Sequence, residues 1–224
     1  MYFTISTPLH PYEVMMQGIP NFLPRGHGTY IYRREIVPSA QTDCQYCLYY
    51  HSGKCSLEEC PFLELKIANG TAGVRQIMSA VFSAVTYPPF TGRLKRYIRE
   101  SENKIMNYYG KKHESDFKQV VDRIDPVNLR VLSAVYLLAA DTQLWRRVQN
   151  QVEKNGIRFD KMTLGSVDEK AYTLFCCAKD LYLGTKHITI GDLADEQLIS
   201  PKMFGIICNA LAIRRFGIGV LNQN

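Results

Sequence analysis

The chain has 224 residues, 46% of them hydrophobic, and a formal charge of +6. That length supports one sizeable core with a small satellite, and no apolar run approaches the roughly 18 residues that span a bilayer. The charge is too modest to demand a polyanionic partner, but it is concentrated: between Pro89 and Lys112 seven basic residues stand against two acids, nearly the whole excess.

Residues 1–43 are rich in Pro, Gly and Tyr and lack a helical period, so an irregular segment is expected, with a short strand over Thr29–Val37. No basic stretch followed by an apolar core opens the chain, so no secretory signal is expected. Four of the seven cysteines then fall between Cys44 and Cys60. With no such signal, clustering of this kind favours a reducing compartment and metal over disulfides. Pro61 directly follows Cys60, which places Cys60 at the N-cap of a helix over Pro61–Ala68.

Apolar spacing predicts a helix over Ala72–Thr86, broken by Pro88-Pro89, and another over Thr91–Tyr108 carrying the basic residues. A short helix over Ser115–Ile124 follows. Asp125-Pro126 starts what reads as the longest helix, to about Lys154, stopped by Asn155-Gly156. Ser166-Val167-Asp168-Glu169 is a capping box opening a helix to Leu183, with Gly184 as its stop. His187–Ile190 reads as a strand, Gly191–Gln197 as a short helix and Ser200-Pro201 as the start of a last helix to about Arg215. Ile218–Leu221 reads as a strand. The expected fold is mainly α: residues 1–70 form an irregular segment with a knuckle over 44–60, and residues 71–224 form a helical domain.

The cysteines are spaced C-x2-C-x7-C-x4-C, so Cys44, Cys47, Cys55 and Cys60 can close on one tetrahedral Zn2+ at thiolate distances of about 2.3 Å. His51 is a substitute ligand. Four sulfurs leave no open position, so the ion's role is structural. The tyrosines and Lys54 on the knuckle either contact nucleic acid or pack the knuckle onto the core.

The segment from Ile188 to Leu211 resembles a winged helix-turn-helix. Leu193-Ala194 stand as the inner pair of the first helix, Ser200 as the cap of the second, and 187–190 and 218–221 where the small sheet belongs. The turn position usually held by glycine is Leu198, and the second helix offers only Lys202, Asn209, Arg214 and Arg215 as reading groups. The alternative is a buried hairpin of the core.

Arg93, Lys95, Arg96, Arg99, Lys104, Lys111 and Lys112, with Tyr97, Tyr108 and Tyr109 among them, suit a nucleic-acid backbone. A solvated helix face explains the same run. No phosphate-binding loop, nucleophile elbow, zinc-protease or dinucleotide motif is present, and Cys176, Cys177 and Cys208 have apolar neighbours, so no enzymatic activity is expected.

Three stretches, N-L-R-V-L-S-A-V-Y-L-L-A-A-D (128–141), A-K-D-L-Y-L-G-T-K-H-I-T-I-G-D-L-A-D (178–195) and I-C-N-A-L-A-I-R-R-F-G (207–217), resemble an uncharacterised family carried by conjugative and other mobile elements of Gram-positive anaerobic bacteria. The cysteine segment resembles a cluster found in proteins of the same elements. The resemblance implies a bacterial cytoplasm and mobile-element cargo, and transfers no site residues. The resulting expectation is an accessory protein that binds nucleic acid, DNA before RNA. The alternative is an inhibitor of a host defence nuclease, of anti-CRISPR type, that docks on protein; a basic chain is a poor mimic of DNA.

Overall fold

A computed structural model describes residues 7–20, 60, 62–101 and 107–223. The chain divides into two units, residues 1–38 and 39–224. In the first, His10–Gln17 form helix α1, where no helical period was expected. Pro11 lies in its first turn, with Glu13 at the positive end of the helix. Its bulky apolar residues are adjacent rather than spaced, and Tyr12, Val14, Met15 and Met16 are exposed. The expected strand over 29–37 lies outside the described residues.

The second unit is mainly helical, as the sequence predicts. Helix α2, Leu63–Ala68, starts two residues later than expected: Phe62 is its N-cap, without a side-chain bond, and the Cys60 carbonyl accepts from Leu63 N–H at 3.1 Å. Leu63 and Ile67 belong to the main core, so the helical body already includes α2. Gln223 locks it there. Its amide donates to the carbonyls of Ile67 (3.1 Å) and Gly219 (2.6 Å), and its oxygen accepts from Ala72 N–H at 2.8 Å.

Helix α3, Val74–Val81, buries Val74, Ile77 and Met78. It ends at Val81, well before the expected break at Pro88-Pro89; those prolines instead open α4, Pro88–Ser101, because proline needs no donor in a first turn. Phe90 of α4 stacks between Phe82 and Phe204, with centroids 5.1 and 5.7 Å away. After bends at Tyr108–Gly110, α5 runs Lys111–Val121. The basic run is therefore divided between two helices.

The long helix expected from Asp125 is two. Asp125 Oδ1 accepts Val127 N–H in a turn, and Asn128 caps α6, Leu129–Leu138. Asp141 then caps α7, Thr142–Val148, accepting from Gln143 and Leu144 N–H at 3.0 and 2.9 Å. A capping carboxylate satisfies donors that a continuous helix would have to turn inward. Asn155-Gly156 belong to a hairpin: β1, Val152–Glu153, pairs antiparallel with β2, Gly156–Ile157.

Helix α8, Glu169–Leu183, is capped by Asp168 rather than Ser166 and ends at Gly184 with φ +76°. Residues 187–190 are not a strand. The Asp180 carboxylate accepts from the N–H groups of His187 and Ile188 and from the Thr185 hydroxyl, winding the chain into bends before α9, Ile190–Ala194. Ser200 caps α10, Pro201–Phe216, as expected. Residues 218–222 form a 3-10 turn against α10 and α2 rather than a strand.

The sheet of a winged helix is therefore missing at both positions where it was expected. In α10 every residue from Met203 to Ala210 is buried, and in α6 every residue from Val131 to Leu138. Helices apolar on all sides need neighbours on all sides; α6 packs against α8 and α10 at the centre of the unit. Of the helix pair that looked like a recognition motif, α10 is core over 203–210, while α9 buries only Leu193.

Candidate nucleic-acid interface

The expected basic residues separate into three groups. Arg93 leaves the surface altogether. It is 5% exposed, its guanidinium lies 4.4 Å from the Phe204 ring centre, and it donates to the carbonyls of Leu193 (2.8 Å), Asp195 (2.9 Å) and Ile199. Burial pulls its pKa below the ordinary value. Arg93 thus clamps the corner between α9 and α10, the turn in which Leu198 stands where glycine is usual. Asp195 completes the corner by accepting from Gln197 N–H at 2.8 Å.

Lys95, Arg96 and Arg99 are exposed along α4. Arg96 pairs with Glu196 at 2.6 Å, an exposed pair worth little. Lys104 lies outside the described residues.

Lys111 and Lys112 form the start of α5, two and three residues after Tyr109. Lys112 meets the buried Asp116 carboxylate at 2.6 Å. Two further lysines arrive from elsewhere. Lys170 Nζ of α8 and Lys202 Nζ of α10 lie 4.0 and 4.1 Å from the centre of the Tyr109 ring, so the two ammonium groups are no more than about 8 Å apart. Lys170 also lies 3.9 Å from Asp141. A tyrosine face attracts a cation by about 0.5–2 kcal/mol; of the two ammonium groups on this ring, Lys170 also has the Asp141 carboxylate to offset its charge.

These lysines share a second property. Each stands in the first turn of its helix, where the peptide dipoles present positive charge and a cation is locally unfavourable. Asp168 and Glu169 offset this at α8; the first turn of α10 holds no acid. The outcome is a cationic surface built from the starts of α5, α8 and α10 around one tyrosine.

Tyr109 is held from behind. Its main-chain N–H donates to His113 Nδ1 at 2.9 Å, and His113 Nε2 lies 2.8 Å from the Tyr136 carbonyl. An amide can only donate and a carbonyl can only accept, so the proton sits on Nε2 and the ring is neutral. His113 is buried against the rings of Tyr108 and Tyr136, which in turn meet Phe117. The Tyr136 hydroxyl donates to the Asn107 carbonyl and accepts from Asn209 at 3.3 Å. Sequence reading singled out Lys202 as a reading group of the second helix and passed over Lys170, which shares the Tyr109 ring with it. The available signal was a lysine in each helix's first turn.

Of the expected zinc ligands, Cys44, Cys47 and Cys55 lie outside the described residues. Cys60 is half-buried and packs against the core. Among the described residues no group of three or more His, Cys, Asp or Glu side chains is placed to hold a metal ion. Burial pushes the thiols of Cys177 and Cys208 far above their ordinary range, which makes them poor nucleophiles. No helix among the described residues is long and apolar enough to cross a membrane. Comparison with family models, curated proteins and solved structures found no match.

Proposed function

We propose that this chain is a non-enzymatic accessory protein of a bacterial mobile element that binds nucleic acid, DNA before RNA. The surface around Tyr109 contacts the backbone. The observation that carries this reading is the placement of Lys170 and Lys202 on one ring beside Lys111 and Lys112. Of these four ammonium groups Lys112 and Lys170 already meet the carboxylates of Asp116 and Asp141, and phosphates relieve the positive charge that is left. Lys95 and Arg99 on the exposed side of α4 extend the charge: α4 is anchored at the Ile199 carbonyl, three residues from Lys202. Contacts of this kind recognise a backbone rather than a base sequence.

A salt series tests it. Each lost phosphate contact lowers the slope of log affinity against log salt by about 0.9 on duplex DNA. Replacing Lys170 and Lys202 together by alanine is expected to lower the slope by about 2 and to weaken binding more than replacing Lys95 and Arg99. Fluorescence anisotropy with labelled DNA and RNA reads both. An absence of binding at low salt, or an unchanged slope in the double variant, overturns the proposal.

In the same reading Cys44, Cys47, Cys55 and Cys60 hold a structural Zn2+. Cys60 suits that part: it packs on the core three residues before α2, so a ligand there ties the cysteine segment to the helical body. Thiolates, once bound, satisfy all four positions of the ion. Metal analysis is expected to find about one zinc per chain. Cys60→Ser should lose it and Cys176→Ala should keep it. Purified protein without zinc, or a Cys60→Ser variant that keeps it, argues against the knuckle.

A further inference from the structure

The first residues of α6 border an open surface cavity of about 430 Å³ lined in part by Val127, Leu129, Arg130 and Arg214. The two arginines come from different helices. Burial and the neighbouring charge of Arg130 both pull Arg214 below its ordinary pKa, so the two like charges are close enough to oppose each other. Among the described residues neither has a carboxylate within ion-pairing distance. The acid in the lining, Asp125, accepts Val127 N–H at 3.1 Å. Arg214 donates its Nε to the Leu181 carbonyl at 3.4 Å, which fixes the side chain and leaves the outer guanidinium edge for a ligand.

The rest of the lining is mixed: Asn128 is polar but already bonded to the Asn155 carbonyl and Val131 N–H, and Val127 and Leu129 are apolar. Val127 is 80% exposed, the most exposed of the large hydrophobic residues described, and Leu129 continues the wall. Two guanidinium forks match the oxygens of a phosphate better than a single ammonium does. The cavity is much larger than a bare oxyanion: a water occupies about 30 Å³, and a phosphate a few times that. There is therefore room beside a phosphate for an organic group.

We propose that this cavity binds a phosphate monoester, its phosphate between Arg130 and Arg214 and its organic group against Val127 and Leu129. Two sources share that chemistry: a free small phosphate ester, and the phosphorylated end of a nucleic acid.

Calorimetry with phenyl phosphate, inorganic phosphate and phenol tests the site on the full chain. Phenyl phosphate is expected to bind more tightly than either of the others. Arg130→Ala, at an exposed position that leaves the fold intact, should weaken it at least about tenfold, the loss of one charge-assisted contact. Val127→Ser should weaken phenyl phosphate and leave inorganic phosphate unchanged. Lys202→Ala should leave phenyl phosphate binding as it was, which separates this cavity from the Tyr109 surface. Oligonucleotides with and without a 5′-phosphate distinguish the sources. A preference for the phosphorylated end that Arg130→Ala erases assigns the site to nucleic-acid ends; phenyl phosphate binding without such a preference assigns it to a free ester. Phenyl phosphate that binds no better than phenol, or binding that Arg130→Ala leaves unchanged, overturns the proposal.

Discussion

Arg93→Ala is expected to destabilise the fold by about 3 kcal/mol without acting on nucleic-acid affinity directly. Three main-chain carbonyls depend on this guanidinium, and all belong to the corner that joins α9 to α10. Alanine leaves those acceptors without their donor in a site that is 5% exposed, and removes the stack on Phe204. The cost is large against the 5–15 kcal/mol typical of a whole domain. Arg93→Met keeps the stem and part of the stack but supplies no donor, so it should recover little. Arg93→Lys supplies one point donor where three carbonyls converge and should fall between them. Urea denaturation of the three variants gives the order. A loss below about 0.5 kcal/mol for Arg93→Ala is the size of an ordinary surface substitution; it would return Arg93 to the exposed basic face.

Arg93 also shows where sequence reading stops. Its neighbours Lys95, Arg96 and Arg99 are on the surface, and nothing in the local pattern separates it from them. The difference arises about a hundred residues away, at carbonyls that become acceptors only once the corner has formed. Local chemistry was legible at Ser200 and Gly184, which sit at helix ends because a short polar side chain and glycine satisfy those ends wherever they occur. The break at Asp141 was missed because the apolar pattern runs through it. The strand expected at 187–190 has the right residues but no partner, and Asp180 binds its main chain instead. Lysines in first turns were visible one by one; that three helices bring them to a single tyrosine is a property of the packing. The cysteine segment is a reading of spacing alone, which metal analysis tests directly.

Acid should weaken the protein through His113, and the size and position of the effect follow from its hydrogen bonds. Burial is the main cause that lowers its pKa from 6.5 to about 4; the Tyr136 carbonyl and the charge of Asp116 oppose it only in part. In the unfolded chain the ring takes a proton near 6.5. In the folded chain Nδ1 already accepts Tyr109 N–H, so protonation there breaks a hydrogen bond and places a charge among aromatic rings. Between those two values the unfolded state binds more protons, so stability rises with pH. It is full above about 6.5 and declines by roughly 3 kcal/mol as pH falls to 4. Asp180 and Asp192 act below that window. Burial pushes Asp180 up, but hydrogen bonds from His187, Ile188 and Thr185 outweigh it; bonds from Thr189 hold Asp192 down, so what these carboxylates contribute is lost as they are protonated. His113→Phe separates the contributions. It keeps a ring in the aromatic cluster and cannot titrate, but it strands Tyr109 N–H and the Tyr136 carbonyl, at about 1–3 kcal/mol for each group left unsatisfied. The variant should be weaker than the parent at pH 7 and close to it near pH 4. Denaturation across that range checks the convergence; two parallel curves would show that His113 does not carry the acid sensitivity. Because His113 holds the main chain of Tyr109, the same titration reaches the lysine surface. Loosening of Tyr109 should accompany the loss of stability, and the Tyr109 amide is expected to lose protection from hydrogen exchange before the α6 and α10 amides do.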